Sequence, residues 1–315
     1  MLRGVPLRRV SSNLALTYLI FVVLVWFLGE FIGERTVPTL LLAYAPPLLW
    51  LLPAPFVWVW VLLRRRKIGF ALLATLIAAW GAGFFHWRAQ SAGSLKVLTY
   101  NVARGTKTNP DRLAVALRQI GADVILLQEA NFYDPDFVKR LQADLPEYSL
   151  SSAAEVSTLT RLPVAKSQVF DLPQNRREVL VTRLEWQDKP LTIVNAHLGT
   201  VMLSPVLQGD LARVRRTRNA RTEQVGVLRS IALQVDGPVL LGGDLNTPPR
   251  GIVYRRLREI FGHDAHDVAG RGPGWTFPSL KVRIDHQFTR DLQPVRAQVL
   301  PGVGSDHLPM LVEYR

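Results

Sequence analysis

Six short stretches of this chain place acid, amide or imidazole side chains at the tips of apolar runs. TYNVARG carries Asn101 and LLQEA carries Glu129. LTIVNAHL carries His197, VLLGGDLN carries Asp244 and Asn246, RIDHQF carries Asp285, and GSDHLPM carries Asp306 and His307. Taken singly, each has an ordinary structural use, such as a turn asparagine or a helix-capping aspartate. Taken together they suit one chemistry. Carboxylate and amide oxygens are hard ligands for Mg²⁺. A histidine held by a carboxylate is oriented for proton transfer, and a second histidine or an asparagine can donate to a phosphate oxygen where negative charge builds. The chain has no cysteine, which removes thiolate nucleophiles, disulfides and Cys-ligated zinc. It also lacks a GxSxG elbow and a P-loop. The inventory therefore points to metal-assisted attack of water on a phosphate ester.

The elements that must position these residues read as alternating strands and helices. Strands are expected at 96–102, 122–127, 191–198 and 238–241, with helices at 111–120 and 220–235 and short strands from Trp275 onward. This is an α/β pattern, and in layered α/β folds ligands gather outside the carboxyl ends of strands. Residues 93–315 are enough for one sizeable core.

In this order and spacing TYNV, LLQE, NAHL, GGDLN, RIDH and GSDH resemble the endonuclease/exonuclease/phosphatase (DNase I-like) superfamily. The resemblance covers roughly 95–315 and implies a four-layer α/β/β/α sandwich with its site at one edge of two packed sheets. It further implies Glu129 as principal metal ligand for Mg²⁺ or Mn²⁺, with Asn101 beside it. Asp244 would orient or deprotonate the attacking water, and Asn246 would hold the phosphate. Asp285 would pair with His307, Asp306 would lie near the metal or the dyad, and His197 would act as general acid or transition-state donor. Gly242 and Gly243 would form a turn that lets the backbone approach a phosphate. NAHL is similar to the DNase I, sphingomyelinase and lipid-linked branches. STLTRLPV resembles the family's Ser-Arg-x-Pro strand with Thr160 in place of the serine, which makes Arg161 a supporting candidate. His286 stands where family members vary and is not assigned to the site.

The first 92 residues differ in kind. Net charge is +13; residues 1–92 carry nine basic and two acidic side chains, a net of +7, which leaves +6 for the rest. Three apolar stretches, 14–33, 37–63 and 68–87, each reach the ~20 residues that cross ~30 Å of hydrocarbon as a helix. They predict an N-terminal membrane domain with three transmembrane helices, followed by a catalytic domain at 93–315 after a short polar linker at 88–94. Arg3, Arg8 and Arg9 precede the first stretch, and Arg64, Arg65, Arg66 and Lys67 separate the second and third. The positive-inside rule then puts these charges in the cytoplasm and the catalytic domain outside it, as in a multi-pass protein of a bacterial-type cell membrane. Five prolines in the second stretch allow a break there instead.

The expected activity is membrane-anchored, divalent-metal-dependent hydrolysis of a phosphoester, either nucleic acid or a phospholipid or lipid-linked phosphate. The alternative is a non-catalytic membrane protein that uses the same fold to bind phosphorylated ligands or nucleic acid. Two further features carry weaker expectations. DLARVRRTRNAR holds Arg213, Arg215, Arg216, Arg218 and Arg221, and reads either as a solvated loop and helix start or as a phosphate-binding or membrane-surface patch. GHDAHD, residues 262–267, reads as a surface loop.

Overall fold

A computed structural model describes residues 13–174, 177–201, 205 and 208–315. Arg3, Arg8 and Arg9 lie outside them. The chain opens with helix α1 (Leu14–Phe27), extended through a π-turn at Leu28–Ile32 and a 3₁₀ turn at Gly33–Arg35. Helix α2 (Val37–Tyr44), a 3₁₀ turn at Pro47–Leu51, helix α3 (Ala54–Arg64) and helix α4 (Ile68–Gly81) follow. Ala15, Tyr18 and Val22 of α1 pack on Ala54, Val57, Val61, Ala71, Ala74 and Ala78 of α3 and α4. Small residues at helix contacts let backbones approach closely where lipid surrounds them. The outward faces carry exposed Phe21, Leu24, Phe27, Leu62, Leu63, Leu72 and Leu73.

Two helices here, Leu14–Arg35 and Pro47–Arg64, are long and apolar enough to cross a membrane. Of the three expected spans, the second has different bounds and the third is a shorter apolar helix. The Ala45–Pro46–Pro47 break splits the second stretch, so α2 stands apart and the long helix starts at Pro47. Helix α4 has 14 residues, which at 1.5 Å per residue falls short of the ~30 Å hydrocarbon core. Residues 88–94 do not form a free linker. Arg88 N–H donates to Gly270 O, Ser91 N–H to Val295 O and Ser94 N–H to Tyr314 O, so this segment runs bonded along the sandwich.

The remainder is built on two six-stranded sheets. The first has the order β11-β12-β1-β2-β4-β3, formed by β1 (Leu95–Asn101), β2 (Val124–Gln128), β3 (Ser149–Ser152), β4 (Val156–Thr160), β11 (Pro294–Val299) and β12 (Met310–Tyr314). The second has the order β5-β6-β7-β8-β10-β9, formed by β5 (Val164–Leu172), β6 (Arg177–Trp186), β7 (Lys189–Ala196), β8 (Val239–Asp244), β9 (His263–Asp264) and β10 (Asp285–Arg290). Strand alternation sorts the apolar side chains into layers. Leu95, Val97, Val124, Leu126, Ile193, Leu240, Met310 and Val312 fill the space between the sheets. Leu98, Ile125 and Leu127 face outward onto α5 (Pro110–Ile120) and α6 (Phe137–Asp144). Val179, Val194 and Leu241 face α7 (Leu211–Ala232) and α8 (Gly251–Phe261). This is the four-layer α/β/β/α sandwich expected from the sequence.

The local rules behind the elements are ordinary. Asn109 caps α5 by accepting from Arg112 N–H, Pro110 takes the first helical position, and Gly121 ends the helix in the left-handed region. Asp210 caps α7, which begins nine residues before the expected Ala220, so the arginine-rich stretch is itself helical.

One expectation about the glycines is overturned. Gly242 and Gly243 lie inside β8 rather than in a turn. A Cβ on Gly242 would sit 2.4 Å from Leu126 Cδ1 of the facing sheet, and one on Gly243, at φ +146, would sit 1.9 Å from the Ala196 carbonyl oxygen of β7. The glycines let β8 pack against its neighbours. Gly243→Ala is therefore expected to lower stability by about 3 kcal/mol or more. Gly226→Ala, on the exposed face of α7 with nothing within 4 Å of its Cβ, is expected to raise it by ~0.5–1 kcal/mol. Thermal unfolding of both variants checks this.

Candidate active site

Strand direction decides which tips meet. Strands β1 and β2 run parallel, with Asn101 opposite Gln128, and β7 runs parallel to β8. Their carboxyl ends deliver Asn101, Glu129, His197 and Asp244 to one edge. Strand β10 is antiparallel to β8 with Asp285 directly opposite Asp244, and β12 is antiparallel to β1. The starts of these strands therefore reach the same edge and bring Asp285 and His307.

Asp244 is the centre. Its side chain is buried, and its Oδ2 accepts from Asn101 Nδ2 at 2.9 Å. His197 Nε2 lies 3.5 Å and His307 Nε2 3.7 Å from the same oxygen. Oδ1 accepts from the Asn246 N–H at 3.0 Å. Asn101 Nδ2 also donates to Glu129 Oε1 at 3.2 Å, while its Oδ1 accepts from Ala103 N–H at 2.9 Å. Asn101 thus turns its amide nitrogen, not its oxygen, toward the two carboxylates. His307 Nδ1 pairs with Asp285 Oδ2 at 2.9 Å, and Asp285 Oδ1 is buried with no hydrogen-bond partner among the described residues. Asn246 Nδ2 donates to Leu198 O at 3.0 Å. Glu129 and Asn246 both sit at positive φ, +49 and +47. Asparagine tolerates that region, but glutamate there is uncommon and marks a backbone held by its surroundings.

The electrostatics follow from burial and proximity. Burial opposes ionisation of Asp244, but the adjacent His307 and His197 outweigh it and hold its carboxyl below the usual range. Burial also disfavours charge on His307. The carboxylates of Asp285 and Asp244 outweigh that and push it up to about 10. Asp285 is raised, by burial first and then by repulsion from Asp244. His307 is therefore an imidazolium held between two acids. Ligand atoms of Asp244, Asp285 and His307 lie within 4.8 Å of one another, but a proton on His307 already serves this trio. Glu129 is half-buried with one oxygen engaged by Asn101, and it is the carboxylate better placed for a hard cation at the edge.

Two functional neighbours escaped the sequence reading. Glu155 Oε1 lies 3.2 Å from His197 Nδ1 and 3.3 Å from Arg177 Nε. Burial opposes ionisation of Glu155, while His197 and Arg177 together hold its carboxyl low. Both residues stand at strand starts, Glu155 just before β4 and Arg177 opening β6. Attention to strand ends alone passed over them, although an acid directly before VSTLT was a usable signal.

Asp306 is exposed, with its Oδ1 3.5 Å from Ser305 Oγ, and its carboxylate is near enough to the dyad to help raise His307. Arg161 lies at the far edge, over the Tyr148 ring and 3.7 Å from Glu147, because β4 runs away from the site. GHDAHD is not a surface loop: Asp264 and His266 are buried. His86, His266 and Asp267 bring ligand atoms within 4.8 Å, but Asp267 is already paired with Arg283 at 2.7 Å, which makes this an ion-pair network. His286 pairs with Asp264 at 2.7 Å, away from the dyad. Arg221 is fully buried, donating to Gly199 O, Leu245 O and Thr247 Oγ1 behind the site.

A four-layer sandwich with acid, amide and imidazole groups at one shared edge of both sheets is a phosphoesterase- or nuclease-type fold. The chain belongs to the Endonuclease/Exonuclease/phosphatase family, which it matches over residues 98–307. No curated protein matches the sequence. Among solved structures it is similar to D. rerio TDP2 complexed with single strand DNA product, at 19% identity and TM-score 0.55 over 70% of this chain and 98% of that one. It is similar to an endonuclease/exonuclease/phosphatase from Bacteroides vulgatus at 18% identity and TM-score 0.56, over 70% and 98%. A Bacteroides thetaiotaomicron family protein gives 17% and 0.56 over 71% and 98%. At these identities the likeness is one of fold.

Two predictions come from this geometry. Glu155→Gln leaves His197 without its anionic partner and is expected to lower any phosphoester hydrolysis ~10²-fold with little change in melting temperature; steady-state kinetics and thermal unfolding check it. His307 has a folded value of about 10 against an ordinary 6.5. Its contribution to stability is thus complete below the ordinary value and is lost as pH rises through the folded one. In chelator, unfolding free energy is expected to fall from neutral pH toward about 10, and His307→Ala to flatten that slope. Denaturant titrations across the window measure it.

Proposed function

We propose that this protein is a membrane-anchored, divalent-metal-dependent phosphoesterase, with residues 1–92 as its membrane domain and 93–315 as its catalytic domain. The observation that carries the reading is the meeting of Asn101, Glu129, His197 and His307 around the buried Asp244 carboxylate.

Glu129 would hold Mg²⁺ or Mn²⁺, with Asn101 fixing the carboxylate and Asp306 at the outer rim. A bound cation would neutralise charge on the phosphate. Asp244 stays ionised and orients or deprotonates the attacking water. Asn246 would hold a phosphate oxygen with the Nδ2 proton not given to Leu198 O. His307, kept protonated by Asp285, and His197, kept in place by Glu155, are the donors on either side of Asp244. They serve the phosphate oxygens and the leaving group as charge builds.

The membrane orientation draws on charge and geometry. Lys67 Nζ donates to Asn13 Oδ1, so the Arg64–Lys67 turn and the start of α1 share one end of the helical unit. The other end meets the sandwich. With the apolar but short α4 taken as a third crossing, the positive-inside rule favours a catalytic domain outside the cytoplasm. Substrates of this reading are nucleic acid or a lipid-borne phosphoester; the D. rerio TDP2 structure holds a single strand DNA product.

The full chain in nanodiscs is expected to hydrolyse a phosphodiester such as bis(4-nitrophenyl) phosphate with Mg²⁺ or Mn²⁺, and to lose turnover ~10³-fold in Glu129→Ala or on chelation. Turnover unaffected by either change would overturn the metal role. No turnover, with divalent-ion binding intact, would leave binding of phosphorylated ligands as the function.

A further inference from the structure

A cavity of about 360 Å³ lies where the N-terminal helices meet the sandwich. One wall comes from the helices, with Trp26, Trp50, Ala78 and Trp80. The other comes from the loops that flank the site, with Pro248 and Trp275. Pro248 follows Asn246 by two residues. Trp275 precedes Thr276, whose Oγ1 accepts from the Asp285 N–H at 3.1 Å, and Phe277, whose ring lies 4.9 Å from that of His307. The cavity and the catalytic edge therefore share the same two loops.

We infer that this cavity receives the apolar chain of a membrane-resident phosphoester, whose headgroup is thereby presented to the Asp244 edge. The inference rests on the phosphoesterase and membrane readings above and names the substrate class that they leave open.

Three features favour a bilayer amphiphile over a water-soluble occupant. The cavity falls within the ~300–1,000 Å³ usual for small-ligand sites, and its helix wall includes the exposed Trp26 and Trp80. Four tryptophans surround it at the sandwich end of the helices, with Trp26 and Trp80 6.0 Å apart. Tryptophan gathers at the headgroup level of a bilayer, which places the cavity where a chain gives way to its headgroup. Lys281 lines the same space over the Trp275 ring and supplies a cation for a phosphate, whereas the Arg250 guanidinium there is engaged by Ala43 O and Ala45 O and the acids Glu30 and Asp267 lie on the cavity wall.

Gly81 allows a clean test. It lines the cavity at the end of α4, and a Cβ there meets nothing within 4 Å. Gly81→Leu fills the space without touching the catalytic residues. Gly69, on the same helix with equally open surroundings and away from the cavity, gives the control Gly69→Leu. Two substrates share a reacting group: 4-nitrophenyl hexadecyl phosphate and 4-nitrophenyl methyl phosphate. In each, water adds at phosphorus and 4-nitrophenolate leaves. In nanodiscs, Gly81→Leu is expected to reduce kcat/KM for the hexadecyl diester ~10-fold and to leave the methyl diester within about twofold. Gly69→Leu should change neither. Equal effects on both diesters, or none on either, would overturn the inference while leaving the phosphoesterase reading intact. If no form cleaves either diester, the phosphoesterase reading fails. Binding is then read by tryptophan quenching with chain-brominated hexadecyl phosphate. Saturable quenching lost in Gly81→Leu supports the cavity assignment, and its absence in the unmodified chain overturns it.

Discussion

The structure turns on burying one ionised carboxylate, Asp244, at the tip of a central strand. A charge removed from water must be matched by donors or it shifts to its neutral form. The donors here come from both sheets. Asn101 and His307 belong to the first sheet, His197 and the Asn246 N–H to the second. Satisfying Asp244 thus fixes how the two sheets stagger, because a slip of one residue along β8 would turn the carboxylate away from the edge. The glycines before it serve the same end. Gly243 lets β8 close on the Ala196 carbonyl, and Gly242 leaves room for Leu126 between the sheets.

A second buried carboxylate supports the first. Asp264 accepts from Arg283 Nη1 at 2.7 Å on each oxygen, from Tyr254 Oη at 2.9 Å, and pairs with His286 Nδ1 at 2.7 Å. Burial opposes its charge, but Arg283 and His286 outweigh that and hold the carboxyl far below the usual range. The other ring nitrogen of His286 lies 2.7 Å from Thr247 O. One imidazole therefore ties the start of β10, which carries Asp285, to the loop that follows Asp244 and Asn246. Removing either partner would strand a buried charge, a loss usually larger than the net worth of the pair.

The sequence disclosed what depends on short-range pattern and hid what depends on strand direction. Short apolar runs located β1, β2, β7 and β8 to within a few residues, and an amphipathic pattern after Pro110 located α5. The seven residues Asn101, Glu129, His197, Asp244, Asn246, Asp285 and His307 were readable because each stands against an apolar run. Glu155 and Arg177 were not, since only an antiparallel pairing brings a strand start to the edge where parallel neighbours end. Arg161 was misplaced for the same reason. GHDAHD looked like a surface loop because its partners, Arg283 and His286, lie about twenty residues away, and polar residues in a run are usually solvated. The span of the second apolar stretch was overestimated because composition counts residues, whereas prolines at 46 and 47 decide where a helix can begin.

The junction between the helices and the sandwich is equally specific, and it falls on the catalytic loop. Glu34 Oε2 accepts from Ile252 N–H at 2.7 Å, so an acid from the helical unit caps the N-terminus of α8. Glu30 pairs with Arg255 at 3.1 Å, and Arg250 donates to Ala43 O and Ala45 O at 2.6 and 2.5 Å. Arg218 reaches Arg35 O at 2.8 Å, and Arg221, behind the site, lies over the Tyr44 ring. These contacts fall on α7 and on residues 250–255, directly after the Asp244–Asn246 tip. A domain held only by a tether would turn freely against the helices. This one is fixed by hydrogen bonds and an ion pair on α7 and at the start of α8, a few residues after the strand end that carries Asp244. The helical unit docks on the residues that follow the Asp244–Asn246 tip, so the docking of the helices and the geometry of the candidate site cannot vary independently.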